Sequence, residues 1–353
     1  MSKKHAIIPV FIPHRGCPND CVFCNQKAIT ARQADVTPDD VKNIIETYLP
    51  TLSGRGLEEI ELAFFGGSFT GIPLEDQSSF LEVAKEYKDR GLIDKIHMST
   101  RPDYITREIL DNLKKYDADI IELGVQSFAP DVLESSNRGH KIEDVYKACD
   151  LIKDYGFELG IQLMIGLPGD SLEKCIFSAQ EAVRLGPSCA RLYPTIVLND
   201  TELYKMYRDG RYTPLTTDEA VSITKEMYRI LDDAGITILR VGLKSTDLIA
   251  EGGEINGHTY HPAFRQLVEG QIARESLEQQ LIRMMQEIPR LHDAVFSSSS
   301  RSFSNMAGHC GVNREYFRGK YTDIRISYVQ DPDIEDGRYL VSEKIKDRSG
   351  GYK

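Results

Sequence analysis

Three cysteines crowd into one short loop near the start of the chain. Cys17, Cys21 and Cys24 have the spacing CxxxCxxC and read CPNDCVFC in the sequence. Three thiolates from one loop can hold three corners of a [4Fe-4S] cubane and leave the fourth iron without a protein ligand. A chelating amino acid can then occupy that iron. The spacing therefore predicts an iron–sulfur cluster that binds a small molecule directly.

A zinc site is the main alternative, in which His14 or another side chain completes three thiolates in a closed tetrahedron. Four further cysteines are scattered along the rest of the sequence: Cys149, Cys175, Cys189 and Cys310. This scatter gives neither the second Cys/His pair of a usual zinc motif nor an even disulfide framework. Two other interpretations stay open: three buried, unreactive cysteines, or a redox pair formed by Cys21 and Cys24.

The elements that must position this loop follow a regular pattern up to about residue 245. Short apolar runs alternate with longer amphipathic stretches, which predicts repeated strand and helix units. The candidate strands are 6–12, 59–65, 95–99, 119–125, 157–165, 190–197 and 236–241. The candidate helices are 38–49, 75–89, 106–116, 143–155, 171–185 and 217–234. Such alternation predicts an α/β fold with a parallel sheet, whose ligands bind at the carboxyl ends of the strands.

Several motifs follow candidate strands and should therefore meet at that edge. The cysteine loop comes after the first strand, and Phe65–Ser68 (FGGS) ends the second. Gln126–Ser127 ends the fourth strand, and Gly166–Gly169 (GLPG) ends the fifth. Since these motifs are independent of one another, their common position predicts one functional site at the carboxyl edge.

The pattern changes beyond residue 245, which predicts a core domain over 1–245 and a small α+β domain over 246–353. The expected elements of the second domain are a glycine-rich turn at 251–258, a helix over 262–288, a serine tract at 297–300 resembling a flexible linker, and a hairpin of strands 323–329 and 338–341 joined by the acidic loop DPDIEDG.

Composition and charge limit the classes of function. A formal net charge of -11 argues against nucleic-acid binding through a global basic field. The segment 301–320 is locally basic and predicts RNA contact through Arg301, Arg314 and Arg318, although a solvated basic loop is the alternative. No signal peptide or membrane span is expected, and the cysteine usage indicates a reducing cytoplasm. The sequence also has no GxxxxGK[ST], HExxH or GxSxG motif.

The span from Ala6 to about Lys244 resembles the radical S-adenosylmethionine (SAM) superfamily. The cysteine loop matches the signature of that superfamily, with Phe23 in the usual aromatic position before the third cysteine. The resemblance implies a partial (β/α)6-type barrel that binds a [4Fe-4S] cluster through its three cysteines, and SAM. By the same resemblance, the residues expected to contact SAM are Gly66, Gly67 and Ser68 at its amino group, and Ser99, Gln126, Arg138 and Gln162 at its ribose or carboxylate. Ser68 and Gln162 depart from the acidic residues that relatives often have there.

The chemistry that the resemblance implies is reductive cleavage of SAM to methionine and a 5′-deoxyadenosyl radical, which abstracts hydrogen from a substrate. An electron donor such as flavodoxin or ferredoxin would be required. Arg191, Tyr193 and Arg240 lie in the sixth and seventh candidate strands and are candidates for substrate contacts, with packing at the strand edge as the alternative.

Within the superfamily, the stretches ELGVQSF, SSNRGH, GLPGD and RLYPTIVLNDTELY resemble the radical SAM part of the Elongator catalytic subunit family. This resemblance implies radical chemistry on RNA, with tRNA as the expected partner. Two departures remain, because no stretch resembles the acetyltransferase domain of that family and the C-terminal part has only Cys310 instead of a cysteine cluster. The alternatives are an oxygen-independent coproporphyrinogen oxidase-like enzyme and a non-enzymatic zinc or cluster-bearing RNA-binding module.

Overall fold

The computed structural model describes residues 5–12, 17, 21–25, 36–243 and 255–344. The chain divides into two compact units, Met1–Pro262 and Ala263–Lys353. The predicted domain boundary between residues 245 and 246 lies outside the described residues. None of the helices in the described part of the chain has the length and apolar character needed to cross a bilayer.

The first unit alternates strands and helices, as predicted. Its strands are β1 (His5–Ile12), β2 (Glu59–Gly66), β3 (Lys95–Thr100), β4 (Ile120–Gln126), β5 (Glu158–Ile165), β6 (Cys189–Pro194), β7 (Val197–Leu198), β8 (Thr237–Val241) and β9 (Ile255–Asn256). Its helices are α1 (Pro38–Leu52), α2 (Leu74–Asp89), α3 (Arg107–Lys115), α4 (Pro130–Ser135), α5 (Ile142–Asp154), α6 (Leu172–Leu185), α7 (Glu202–Arg208) and α8 (Thr217–Asp233).

Seven of these strands form one parallel sheet in the order β1-β2-β3-β4-β5-β6-β8. One contact shows that the sheet is strongly curled. The guanidinium of Arg191 on β6 lies 4.7 Å from the ring centroid of Phe65 on β2. Four strand spacings separate these strands, so in a flat sheet they would be about 19 Å apart. The predicted partial barrel is therefore confirmed as an open half-barrel with helices outside.

Side chains alternate between the two faces of each strand, as the twofold period of a strand requires. On β2, Leu62 and Phe64 are buried on the outer face, where Phe64 stacks on Phe69 and Phe80. The neighbouring residue Phe65 points the other way and meets Arg191. The outer face of the sheet is therefore apolar, whereas charged residues reach the interior.

Helix starts follow the capping signals in the sequence. Thr37 caps α1 in a capping box with Asp40, and Thr216 caps α8 in the same way with Glu219. These boxes satisfy backbone N–H groups that have no partner within the helix. The sequence pattern did not indicate the short helices α4 and α7, which have six and seven residues.

One predicted strand is divided in the structure. The candidate strand 190–197 becomes β6, which ends at Pro194, and β7, which leaves the sheet and pairs antiparallel with β9. Proline has no N–H to donate to a neighbouring strand, which is consistent with the end of β6 at Pro194. The predicted glycine-rich turn at 251–258 is described only from residue 255 onward, and this part contains β9.

The second unit is built on the long helix α9 (Phe264–Glu287), which confirms the helix predicted over 262–288. Its other elements are β10 (Asp293–Ser298), α10 (Phe303–Ala307), α11 (Val312–Lys320), β11 (Arg325–Gln330) and β12 (Tyr339–Glu343). Leu277 and Leu281 of α9 join Phe296 of β10 and Phe317 of α11 in its core.

The predicted hairpin in this unit is wrong. Both predicted strands exist as β11 and β12, but β10 lies between them, parallel to β11 and antiparallel to β12. The serine tract 297–300 is also not a linker, since Ser298 lies in β10 and both Ser298 and Ser299 are buried. A short strand ending in serines has little of the apolar, β-branched character on which strand prediction depends.

Candidate functional site

The cysteine loop is held at the carboxyl edge of the half-barrel. Val22 N–H donates to the carbonyl of Ser136 at 3.1 Å, and Leu203 N–H donates to the carbonyl of Val22 at 2.7 Å. Cys24 N–H donates to the carbonyl of Cys21 at 2.9 Å, which forms a tight turn between the last two cysteines. These bonds connect the loop to segments that follow β4 and β6, and so fix it above the barrel.

Apolar side chains from this loop pack into two separate clusters. Val22 joins Val197, Leu203 and Tyr212. Phe23 packs against this cluster and also against a second one, made of Ala129, Val132 and Leu167 with Met164 beside it. The two adjacent residues therefore anchor the loop through apolar contacts with segments that follow β4, β5 and β6.

The glycines after β2 allow close approach to the end of β1. Gly66 has φ +111°, and a Cβ added there would lie 2.4 Å from the carbonyl oxygen of Ile12. Gly67 N–H donates to that same oxygen at 3.0 Å. Only glycine fits such a close, left-handed backbone. Gly66 and Gly67 thus fix the last described residue before the loop that carries the cysteines.

Ser68 uses its hydroxyl within the protein. Its Oγ lies 2.8 Å from Thr100 Oγ1 and accepts a hydrogen bond from Arg101 N–H at 2.9 Å. Ser68 therefore joins the ends of β2 and β3, and its side chain is buried. Sequence reasoning had left only its backbone for cofactor contact, and these hydrogen bonds explain what the hydroxyl does instead.

Two buried arginines lie beside the cysteine loop. Arg138 Nη1 is 3.4 Å from Cys21 Sγ, and its Nη2 donates to the carbonyl of Gly124 at 2.7 Å. Arg101 Nη1 donates to the carbonyl of Arg138 at 2.8 Å, and its Nε and Nη2 bind both carboxylate oxygens of Asp103. No sequence motif pointed to Arg101, which the structure adds to the site.

The charge of these arginines acts on their surroundings. Burial opposes the charged form of Arg101, but the hydrogen bonds and charge of Asp103 and the charges of Cys17 and Cys21 raise its pKa. His140 is buried nearby, where burial and the charges of Arg138 and Arg101 lower its pKa to about 3. The lowered pKa of His140 favours its neutral form beside the two arginines, of which Arg138 contacts Cys21.

Gln126 ends β4 in a left-handed conformation, with φ +72°. The register between β4 and β5 shifts at this point, as in a β-bulge. Its Oε1 is buried and has no hydrogen-bond partner among the described residues. A Cβ added at Gly124 would lie 3.0 Å from Gln126 Nε2 and 2.9 Å from Arg138 Nη2. Backbone strain and an unused buried acceptor are typical of a ligand-binding position.

Gln162 and Ser99 lie on neighbouring strands of the same sheet. Gln162 is the register partner of Gly124 on one side and of Arg191 on the other. Ser99 is buried on β3, opposite Glu122 and thus one row closer to the amino ends of the strands. The structure therefore brings Gln126, Arg138 and Gln162 around Gly124, and places Ser99 slightly deeper.

A row of alternating charges fills the interior below this site. His5 Nε2 lies 2.9 Å from Glu61 Oε1, and His97 lies 3.1 Å from Glu61 and 3.0 Å from Glu122. Arg191 Nε completes the row, at 2.7 Å and 2.9 Å from the two carboxylate oxygens of Glu122. Sequence reasoning missed this network because each member is a single charged residue within an otherwise apolar strand.

The candidate substrate residues lie at the end of this row. Arg191 is 5% exposed and ion-paired with Glu122. Packing within the sheet therefore accounts for one side of its guanidinium, and the other side could contact a substrate. Burial raises the pKa of Tyr193, and the positive charges of Arg191 and Arg240 act in the opposite direction. Arg240 is the register partner of Arg191 on β8 and is half-buried.

The remaining cysteines lie elsewhere in the fold. Cys149, Cys175 and Cys189 are buried, and burial raises the pKa of Cys149 and of Cys189 to about 12. Cys175 donates to Asp170 at 3.1 Å, and Cys310 is exposed in the second unit. His14, the proposed fourth zinc ligand, is outside the described residues.

The basic segment 301–320 is largely engaged within the second unit. Arg301 pairs with Asp336 at 3.2 Å, and Lys320 pairs with Glu278 at 2.7 Å. Arg314 lies over the rings of Phe303 and Tyr328, and Arg318 is 4.0 Å from Glu315. These contacts reduce the positive field that the sequence suggested.

A curled parallel half-barrel with a three-cysteine loop at its carboxyl edge defines a class of cofactor-dependent α/β proteins, and comparisons with known proteins identify the family. The model of the radical SAM superfamily matches residues 11–181, and the model of the radical SAM C-terminal domain matches residues 187–274. These matches cover most of the chain, which therefore belongs to the radical SAM superfamily of enzymes and resembles its Elongator-like members.

Curated relatives cover a similar span. The tRNA uridine(34) acetyltransferase of Methanocaldococcus infernus is 28% identical over 298 residues, covering 69% of this chain and 54% of the relative. The human Elongator complex protein 3 is 27% identical over 291 residues, covering 67% and 53%. The chain spans about half the length of these relatives.

A solved structure shares the fold. The archaeal Elp3 of Methanocaldococcus infernus, solved with an N-terminal deletion, superposes with a TM-score of 0.61 and 22% sequence identity. The match covers 78% of this chain and 64% of that chain. This likeness supports the half-barrel architecture.

Radical SAM enzymes in general use a [4Fe-4S] cluster and SAM, and the residues of this chain fit both groups. Cys17, Cys21 and Cys24 supply three thiol ligands from one loop. Arg138 stands beside Cys21, and Gln126 offers an unused buried oxygen next to it. The donor set therefore suits the cluster, and the adjoining polar groups suit a polar ligand bound to it.

Proposed function

We propose that this chain is a radical SAM enzyme that binds a [4Fe-4S] cluster through Cys17, Cys21 and Cys24 and modifies RNA, with tRNA as substrate. The observation that carries the proposal is the position of the cysteine loop at the carboxyl edge of the half-barrel, within 3.4 Å of Arg138. When bound, the cluster and SAM supply reductive cleavage of SAM to methionine and a 5′-deoxyadenosyl radical.

The protein's own residues bind and orient the cofactor. Gly66 and Gly67 position the start of the cysteine loop, and the backbone of Gly66 to Ser68 is the proposed contact for the amino group of SAM. Gln126, Arg138 and Gln162 surround Gly124 and are the proposed ribose and carboxylate contacts, with Ser99 below them. A guanidinium binds carboxylate through two parallel hydrogen bonds, which suits Arg138 to the SAM carboxylate.

Water exclusion is the second role of the protein. Val22 belongs to one apolar cluster beside the loop, and Phe23 packs against that cluster and against a second one. A reactive radical needs a site from which solvent is kept away. These two side chains therefore protect the reaction as well as anchor the loop.

The names of the relatives support the RNA substrate. One is a tRNA uridine(34) acetyltransferase, and its match covers 69% of this chain. We propose tRNA as the partner on this basis, and a flavodoxin or ferredoxin as electron donor. An oxygen-sensitive cluster and a tRNA substrate both suit a reducing cytoplasm.

The test is anaerobic reconstitution with iron and sulfide, followed by dithionite and SAM, with 5′-deoxyadenosine measured in the presence and absence of bulk tRNA. We expect 5′-deoxyadenosine to form and to increase with tRNA. Cys21→Ala should abolish it, whereas Cys310→Ala, the matched change at an exposed cysteine far from the loop in sequence, should have no effect.

Each outcome bears on a different part of the proposal. Product that forms but ignores tRNA would overturn the RNA substrate and leave the cofactor chemistry. Zinc that co-purifies with the protein, with no 5′-deoxyadenosine under any condition, would overturn the radical SAM activity itself.

A further inference from the structure

Two arginines face each other inside the half-barrel. Arg191 on β6 and Arg240 on β8 are register partners in a parallel pair of strands, directly after the register shifts by one residue as in a β-bulge. Residues directly opposite on neighbouring strands point to the same face of a sheet, and like charges in such positions destabilise it. Arg191 points into the interior, since it contacts Phe65 and Glu122 there. Arg240 therefore shares the interior with it.

The carboxylates of the interior are occupied by other cations. Glu61 is paired with His5 and His97, and Glu122 is paired with His97 and with Arg191 Nε. Among the described residues, no carboxylate oxygen lies within 4.0 Å of the Arg240 guanidinium. The row of charges thus ends in two arginines, of which Arg191 is paired with the carboxylate of Glu122.

Arg191 also has a donor atom that could bind a ligand. Its Nη2 is buried and has no hydrogen-bond partner among the described residues, although Nε is fully used by Glu122. The Glu122 contact and the ring of Phe65 hold this guanidinium in one orientation. Tyr193 follows two residues later on β6, and therefore on the same face as Arg191.

This cationic group adjoins the proposed cofactor site. Gly124, Gln162, Arg191 and Arg240 are consecutive register partners across β4, β5, β6 and β8. Arg138 meets the Gly124 end of that row and also Cys21. A ligand group held by Arg191 and Arg240 would therefore lie about two strand spacings, roughly 10 Å, from the cofactor contacts.

We propose that Arg191, Arg240 and Tyr193 bind a phosphate of the RNA substrate inside the half-barrel, next to the nucleoside that reacts. This inference rests on the proposed function, because it assumes that RNA enters the barrel. Guanidinium groups match phosphate oxygens in a bidentate fork, and the phenol supplies a further donor. In a chain of net charge -11, whose basic segment is engaged in internal contacts, such a local site offers the phosphate binding that a global field does not.

The experiment measures binding of unmodified tRNA to the purified protein as a function of salt. Arg240→Gln should weaken binding about tenfold, since it removes a charged hydrogen bond. It should also reduce the slope of log K against log salt by about 0.7, the contribution of one phosphate contact in a single strand. Arg191 is not substituted, because that would leave Glu122 buried without its partner.

Two variants control for folding and for loss of charge. Arg240→Lys keeps the charge but loses the fork, so we expect the slope of the unchanged protein with weaker binding. Arg283→Gln removes an exposed arginine from α9 and should leave both affinity and slope unchanged.

The outcomes separate this inference from the proposed function. If the unchanged protein binds tRNA and Arg240→Gln has the same affinity and slope, the phosphate site is wrong while the RNA substrate stands. If the unchanged protein does not bind tRNA, the RNA substrate fails and the phosphate site fails with it. 5′-Deoxyadenosine formation without RNA would then still report on the cofactor chemistry alone.

Discussion

Two buried arginines place positive charge beside the cysteine loop. Arg138 Nη1 lies 3.4 Å from Cys21 Sγ, and Arg101 is held in place by Asp103 and by the carbonyl of Arg138. The potential of an iron–sulfur cluster depends on its surrounding charge and on hydrogen bonds to its sulfurs. A buried cation favours the reduced, more negative state of a bound cluster. Both arginines should therefore make the cluster easier to reduce.

We predict that Arg101→Gln lowers the midpoint potential of the reconstituted cluster. A tenfold fall in the equilibrium constant for one-electron reduction corresponds to about 59 mV. Arg101→Lys should restore most of the potential because it keeps the charge. The measurement is a redox titration followed by electron paramagnetic resonance, without substrate. An unchanged potential in Arg101→Gln would show that this charge does not act on the cluster.

Gly66 gives a second prediction for a single residue. Gly66→Ala should destabilise the protein by more than about 1 kcal/mol, because its Cβ would lie 2.4 Å from Ile12 O in a left-handed backbone. Gly91→Ala is the matched control, since Gly91 also has a positive φ but nothing within 4 Å of the added atom. Urea unfolding measures both, and equal costs would show that the contact with Ile12 is unimportant.

The parts of the site that could be read from the sequence are those with local signatures. The cysteine spacing and the glycines after β2 each require a particular backbone, so they stand out in one chain. Arg101 and His97 have no such signature, because their importance depends on partners such as Arg138 and Glu61 that only the fold brings near. Gln126 lies between these cases, since its motif was visible but its left-handed backbone was not.

The inner face of the half-barrel is stabilised by charges as well as by apolar packing. Burial opposes the charged form of His97, but its hydrogen bonds and ion pairs with Glu122 and Glu61 raise its pKa. Burial likewise opposes ionisation of Glu61, and its hydrogen bonds with His5 and His97 lower the pKa of that carboxyl. The row is therefore fully charged from mildly acidic pH up to the raised pKa of His97.

We predict that His97→Gln costs about 3 to 5 kcal/mol, because it leaves two buried carboxylates without their shared cation. His97 has a raised pKa in the folded state, so its contribution is complete below its unfolded value of about 6.5 and is lost as pH rises through the folded value. The difference between the two proteins in urea unfolding should therefore shrink at alkaline pH. His292→Gln, at an exposed histidine, should change stability little at any pH.

The sheet of the second unit makes a prediction about register. Val341 pairs with Phe296 and packs against the core, whereas Leu340 points to the opposite face and is 52% exposed. Val341→Ala should cost about 1 kcal/mol, and Leu340→Ala should stay within about 0.5 kcal/mol. Comparable costs in urea unfolding, or the reverse order, would contradict the register.

Elements with a clear period were predictable, and elements without one were not. The long amphipathic helices and the buried strands of the first unit each repeat a pattern over enough residues to be distinguished from loops. β7 has two residues and β10 ends in serines, so neither strand shows a repeated apolar pattern. Because β10 was missed, β11 and β12 were paired with each other across a gap that this strand fills.

On the scale of the whole molecule, a negative net charge is combined with local positive charge at the site. The formal net charge is -11, while Arg101, Arg138 and Arg191 are all buried in the first unit. Arg101 and Arg191 are paired with Asp103 and Glu122, and Arg138 lies beside Cys21. Because salt screens charges over about 10 Å, the proposed RNA substrate would be recognised by contacts at the site and not by a global field.

The central position of β10 also matters while the protein is being made. This strand leaves the ribosome before both of its neighbours, because β11 and β12 come later in the chain. Until translation has passed Glu343, β10 has an unpaired edge, and its partner at Val341 is not yet available. Incomplete sheets of this kind associate with other chains. A pause in synthesis between residues 298 and 339 would therefore leave the nascent second unit at its most dependent on chaperones.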